Sequence, residues 1–263
     1  MDKSSLIGII LGILAVGVGM VLKGVGLGAL INPAAILIIL VGTAASVIIA
    51  FPTRTLKRIP ALFKILFTER KEQSAEELID TFSDMADIAR KEGILSLESQ
   101  LDKIEDPFLA SGLQLAVDGQ TPEFIRDVMM EKIDAMEKRH EEGAAIFSQA
   151  GTYAPTLGVL GAVVGLIAAL ADMSDIEALG KAISAAFIAT LLGIFTGYVM
   201  WHPFANKLKA KSKREVEIKE IMIEGIVSIT VGESSKVLRD KLGSYLTTKE
   251  LERLNQEPKN EEE

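Results

Sequence analysis

The stretch Gly143–Ala171, GAAIFSQAGTYAPTLGVLGAVVGLIAALA, runs for 29 residues without an Asp, Glu, Lys or Arg. As one α-helix it is roughly 43 Å long, against about 30 Å for the hydrocarbon of a bilayer. It therefore spans a membrane and overshoots it. Pro155 falls near the expected boundary, where its missing N–H frees a backbone carbonyl and bends the helix. Ser4–Leu22, Gly24–Thr53 and Ala182–Trp201 also lack every formally charged side chain. A span needs about 20 predominantly apolar residues, so the chain reads as an all-α membrane protein with four transmembrane helices. The first stretch begins behind a single lysine and continues through Lys23 into more apolar chain. It reads as a retained span rather than a cleaved signal peptide.

Lysine and arginine near the span ends set the orientation. Arg54, Lys57, Arg58, Lys64, Arg70 and Lys71 follow the second span, and Lys207, Lys209, Lys211, Lys213 and Arg214 follow the fourth. Both segments are expected in the cytoplasm, with both termini, in a multi-pass protein of the inner or plasma membrane. The other two connections, Lys23 and the short Asp172–Lys181 segment, are the outside turns. The chain thus divides into residues 1–53 with spans one and two, 54–142 as a cytoplasmic helical domain, 143–206 with spans three and four, and 207–263 as a cytoplasmic C-terminal helix and tail.

The insert changes to helical periodicity. Ser74 and Glu77 form a capping-box start, Leu78, Phe82, Met85 and Ala89 recur on one face, and Gly93 is a stop. The other face carries Glu76, Asp80, Asp84, Asp87, Arg90 and Lys91, acids first and bases last, as the helix dipole prefers. By composition that is a solvated surface. Shorter helices follow around Leu95–Ile104, which carries Glu98, and around Pro107–Val117, closed by Asp118-Gly119. Thr121-Pro122-Glu123 then reads as cap, first-turn proline and first-turn acid of a long helix. Gly143 brings no strong turn signal, so that helix runs close to or into the third span. An amphipathic C-terminal helix is expected over about Lys213–Leu246, and a polar, disordered tail over Asn255–Glu263.

The charge pattern limits the function classes. The net charge is -8 and the acids lie mainly in the cytoplasmic parts, which disfavours nucleic acid as a partner because phosphate binding needs a positive face. The basic runs beside the membrane have anionic lipid heads as neighbours. With no cysteine, disulfides, thiolate catalysis and Cys-type zinc sites are excluded. His140 and His202 lie outside the apolar cores, so no nucleophile and base share one depth, and no enzyme, cofactor or metal is expected. His202 instead reads as an interfacial neighbour of Trp201 in the aromatic belt.

Gly161, Gly165 and Ala169 form a small-residue face in the third span, and Ala186, Thr190, Gly193 and Gly197 form another in the fourth. Two readings stay open. These are ordinary packing seams with Thr190 bonded to its own helix backbone, or subunits pack through them in a ring around a different helix, with Thr156 and Thr190 lending oxygen to a wetted cation path. An ion path built this way lacks its own carboxylate, so a partner has to supply one.

Gly151-Thr-Tyr-Ala-Pro-Thr-Leu-Gly158, the segment from Ala182 through Thr190 to Tyr198, and His202-Pro-Phe-Ala-Asn206 resemble the MotA family of flagellar stator subunits, in its Bacillus type. The likeness covers nearly the whole chain, including the opening Met1–Ile10. More distantly, the last two spans resemble the ExbB and TolQ energising proteins. The resemblance implies a homo-oligomeric ring, a pentamer around a MotB dimer, with MotB supplying the proton-binding aspartate. It implies that Pro155 and Pro203 couple ion occupancy to helix movement. By residue type alone Pro203 is a helix terminator. It implies that Arg90 and Glu98 engage the rotor protein FliG. Sodium-driven relatives carry threonine at the positions of Ala162 and Ala189, and alanine cannot replace a sodium ion's lost water. The resemblance therefore implies a proton channel that converts proton-motive force into torque. The alternatives are a sodium-driven stator and an ExbB/TolQ-like energiser of an envelope protein.

Overall fold

A computed structural model describes residues 3–68, 74–171 and 176–256. All of the regular structure among them is helical, and four helices are long and apolar enough to cross a membrane. The chain forms two compact units, one of residues 1–69 and 139–211, the other of residues 70–138 and 212–263.

In the apolar unit, α1 covers Lys3–Leu22 and α2 covers Pro33–Ala50. The second uncharged stretch, Gly24–Thr53, is therefore not helical throughout. Gly24 turns at a φ of 75°, Leu27–Leu30 forms one 3-10 turn, and α2 starts only where Asn32 accepts a hydrogen bond from Ala35 N and Pro33 fills the first turn. After α2 come α3, Thr53–Leu56, and α4, Ile59–Phe67. These two short helices belong to the apolar unit. Lys211 holds the end of α4 by donating to Ile65 O and Thr68 O at 2.6 and 3.0 Å, satisfying carbonyls that a helix end leaves open. Phe63 and Phe67 of α4 pack edge-on against Phe147 and Phe204.

In the polar unit, α5 spans Ala75–Glu92 behind a complete capping box, with Ser74 and Glu77 bonded in both directions. Gly93, at φ 87°, ends it. A 3-10 turn over Ile94–Leu97 leads into α6, Glu98–Leu101, and α7, Pro107–Val117. Asp106 caps α7 by accepting from Phe108 N and Leu109 N. The long α8 runs unbroken over Pro122–Leu170, since nothing after Thr121-Pro122 stops it. Within the apolar unit, α9 spans Ile176–Phe195 and a wide π turn covers Thr196–Trp201, and α10 follows over His202–Thr230.

The expected single C-terminal helix is two. Gly232 adopts φ 75°, a conformation that costs little only without a Cβ. Ser234 then caps α11, Ser235–Gly243, by accepting from Val237 N, and α12 follows over Thr248–Gln256. The expected disordered tail from Asn255 is helical in its first two residues, since α12 runs to Gln256, and the rest of it lies outside the described residues, as do Asp172–Asp175 between the last two spans. The core of this unit is one cluster that includes Leu78, Ile79 and Phe82, Leu113, Ile125 and Met129, Ile221 and Ile226, and Leu238 and Leu242.

Candidate functional site

In the apolar unit, α8 and α9 touch backbone to backbone. A Cβ on Gly158 would lie 2.9 Å from Ala189 O and 2.9 Å from Gly193 Cα, and one on Gly193 would lie 2.7 Å from Ala154 O. The expected face of Gly161, Gly165 and Ala169 is thus not the tight one. Gly161 reaches only ordinary contact with Ile38 and Ala189, and Gly165 has nothing within 4 Å. Gly151, Ala154 and Gly158 make the seam instead. Small residues at i, i+3 and i+7 are the sequence signal for this seam, beside the four-residue repeat of Gly161, Gly165 and Ala169.

The seam continues into the π turn. A Cβ on Gly197 would lie 2.8 Å from Gly151 O and 2.8 Å from Pro155 Cγ. Gly151 O is the carbonyl that Pro155, four residues on, leaves without its helical donor. A proline turn in one helix thus faces a widened turn in the next, while α8 remains helical through Pro155. Pro203 does not terminate a helix. Helix continues past it from Ile176 to Thr230, through the π turn just ahead.

The four ion-path candidates do not share one surface. Ala162 and Ala189 are buried at 8% and 2% exposure, in a cluster with Ala35, Ile39, Ala154 and Ala186. Thr156 is exposed and Thr190 is half-buried. Thr156 donates to Thr152 O and Tyr153 O, and Thr190 donates to Ala186 O at 3.2 Å. Each hydroxyl proton is therefore committed to its own helix, and only the oxygen lone pairs stay available. Trp201 ends the π turn. Its ring packs between Phe147 and Phe204, and its indole N–H is buried without a partner among the described residues. His202 packs on Tyr198 at 5.2 Å.

In the polar unit Arg90 lies in the last turn of α5 and Glu98 begins α6, on either side of the Gly93 turn. Both are exposed, and neither side chain has an ion-pair partner among the described residues. The ion pairs of this unit lie elsewhere. Glu224 of α10, with 9% of its side chain exposed, accepts from Arg126 of α8 at 2.6 Å and also pairs with Lys241 of α11. Burial pushes the Glu224 carboxyl up, but the hydrogen bonds from Lys241 and Arg126 and their charges outweigh this and hold it below the usual carboxylate range. Burial pushes the Lys241 ammonium down, and its bonds to Glu224 and Glu233 more than reverse that, so it titrates above an ordinary lysine. Arg239 pairs with Asp80 at 2.7 Å, tying α11 to α5. Sequence spacing gave no sign of this network, because Arg126 precedes Glu224 by 98 residues and Asp80 and Arg239 lie on helices far apart in the chain.

Residues 6–93 match the family model "Motility protein A N-terminal", and residues 100–221 match "MotA/TolQ/ExbB proton channel family". The chain is 62% identical to Motility protein A of Bacillus subtilis (strain 168) over 250 residues, covering 95% of this chain and 93% of that one. The structure of the flagellar MotAB stator complex from Bacillus subtilis superposes with a TM-score of 0.91 at 60% identity, covering 97% of this chain and 100% of that one. The C. jejuni MotAB structure gives a TM-score of 0.90 at 31% identity, covering 94% and 97%.

Proposed function

Since this chain belongs to the MotA/TolQ/ExbB proton channel family, we propose that it is the flagellar stator subunit that forms a proton channel with MotB and turns proton-motive force into torque on the rotor. The observation that carries this reading is the uncharged membrane part: neither Gly143–Ala171 nor Ala182–Trp201 holds an Asp, Glu, Lys or Arg. The ion site then takes its acid from MotB. Copies of the chain form a ring, a pentamer around a MotB dimer, with both termini in the cytoplasm.

Thr156 and Thr190 lend oxygen to the path, and alanine at positions 162 and 189 leaves too few ligands for sodium. Protonation of the MotB aspartate neutralises a charge that faces an apolar wall, where desolvation raises its pKa. The neutral helix shifts, and Pro155 and Pro203 pass the movement along α8 and α10. Each charge crossing supplies about 2.3 kcal/mol per 100 mV. A surface ion pair is worth up to about 1 kcal/mol, so the contacts of Arg90 and Glu98 with FliG form and release in every cycle.

The test is motility of a deletion strain complemented with this chain and MotB. Collapsing the proton gradient stops swimming, and loss on collapsing the sodium gradient alone overturns the proton assignment. The reversals Arg90→Glu and Glu98→Lys abolish swimming while membrane assembly stays normal. Swimming by both reversals removes the rotor contact.

A further inference from the structure

Two buried donors of the apolar unit, the Thr43 hydroxyl and the Trp201 indole N–H, have no hydrogen-bond partner among the described residues. Thr43 is only 4% exposed. A threonine inside an apolar helix usually gives its hydroxyl proton to its own backbone. Thr152, Thr156, Thr190 and Thr196 do so, each donating to the carbonyl four residues back at 2.9–3.2 Å. Thr43 makes no such bond to Ile39 O, so its hydroxyl is turned off its own helix. A buried donor left unmade carries the whole desolvation penalty of its group, and native interiors rarely keep one.

Both donors border one junction of α2, α8 and α9. Ala35, Ile39, Thr43 and Val47 are the buried face of α2. Ile39, one turn before Thr43, shares a cluster with Ala154 of α8 and Ala189 of α9. Val47, one turn after it, shares a cluster with Ile146 and Ala150 of α8. Trp201 packs against both clusters. Thr43 therefore lies opposite the Ala150–Ala154 stretch of α8, between the two groups of side chains that the Trp201 ring touches. That stretch contains Gly151, whose carbonyl has lost its helical donor to Pro155. Two donors and one acceptor thus belong to the same junction.

We propose that this junction is a binding site for an internal water, which accepts from Thr43 and Trp201 and donates to Gly151 O. Water fits a mixed set because it both accepts and donates, and three partners is the usual number for a buried one. A metal cation does not fit, since two of the three groups donate. An anion does not fit either, because Gly24–Thr53, Gly143–Ala171 and Ala182–Trp201 hold no lysine or arginine to offset its desolvation. The water replaces the donor that Pro155 removed. Apolar helices accept proline where ordered water or a neighbour satisfies the freed carbonyl, and α8 does run unbroken through Pro155. The site is internal to one chain and is independent of the partner that supplies the acid.

Trp201 is the single tryptophan of the chain, so one indole signal reports on the site. The experiment is solid-state NMR of the full chain in lipid bilayers with isotope-labelled tryptophan, reading magnetisation passed from water to the indole N–H at short mixing times. Trp201→Phe removes the signal and so assigns it. Wild type shows direct transfer from water to this buried group. Thr43→Val, which keeps the branched shape and removes the hydroxyl, loses most of it, and Thr43→Ser, which keeps the hydroxyl, retains it. Unfolding by rising sodium dodecyl sulfate gives a second readout with a decisive sign. Thr43→Val unfolds at a lower detergent fraction than wild type if the hydroxyl holds water, and at a higher one if it is a dry orphan, because an apolar isostere then relieves an unmet donor. No transfer in wild type, undiminished transfer in Thr43→Val, or a higher unfolding midpoint for that variant each overturns the site. The wild-type measurement decides without any variant having to fold.

Discussion

Replacing Gly158 by alanine tests the backbone seam of the apolar unit. The added methyl would lie 2.9 Å from Gly193 Cα and 2.9 Å from Ala189 O, where carbon atoms prefer about 3.5 Å or more. Relief by rotating a flexible side chain is unavailable, because both obstacles are backbone, so α8 and α9 have to part by roughly 0.6 Å at their crossing. Overpacking of this kind costs about 1–3 kcal/mol. Alanine also gains up to about 1 kcal/mol of helix propensity over glycine, which partly masks the loss. Gly165→Ala removes that ambiguity. It gains the same propensity on the same helix, and its methyl meets nothing within 4 Å. The difference between the two variants is therefore the seam alone, about 1–3 kcal/mol. The assay is unfolding of the purified chain in mixed micelles by rising sodium dodecyl sulfate, followed by circular dichroism. Gly158→Ala unfolds at a lower detergent fraction than wild type, and Gly165→Ala at the same or a higher one. Identical midpoints for the two variants refute the backbone contact.

Two further outcomes follow from the polar unit. Glu224→Ala leaves Arg126 and Lys241 facing each other without their shared acceptor. A broken buried pair costs about 3–5 kcal/mol, reduced here to about 1–3 because the Arg126 and Lys241 side chains are 45% and 36% exposed. The Glu224 pKa is depressed on folding, so its contribution is present above the ordinary value of 4.5 and is lost as pH falls through the lowered one. The Lys241 pKa is raised, so its contribution is complete below 10.5 and is lost as pH rises through the higher one. Melting curves across pH check both limbs, and in Glu224→Ala both flatten. Gly93→Ala forces a Cβ into a backbone at φ 87° and ψ 157°, a region essentially confined to glycine, and costs about 1–3 kcal/mol, read as a lower melting temperature. Melting at the wild-type temperature would show that the turn tolerates a side chain.

Much of the architecture was legible because its causes are local. Ser74 and Glu77, Gly93, and Thr121 with Pro122 act within one helical turn, and each marks a boundary that the structure keeps. Length and lack of charge sufficed for the four spans, since hydrocarbon imposes that requirement on any helix crossing it. Local signals failed where two opposed cues met. Pro203 is a terminator by type, yet the π turn ahead of it lets the helix continue. The uncharged stretch beginning at Gly24 looked like a long span, yet Asn32 and Pro33 start the helix later. The run toward Leu246 looked continuous, yet Gly232 divides it.

The sequence by itself determined that this is a four-span helical protein with an amphipathic insert and no carboxylate, lysine or arginine in its last two spans. Those properties depend on composition and on neighbours within a few residues. Tertiary structure alone decided that Gly158 meets Gly193, that Gly151 and Pro155 face Gly197, and that Glu224 binds both Arg126 and Lys241. Each of these depends on the distance between atoms of different turns or helices, and that distance is set by how whole faces pack.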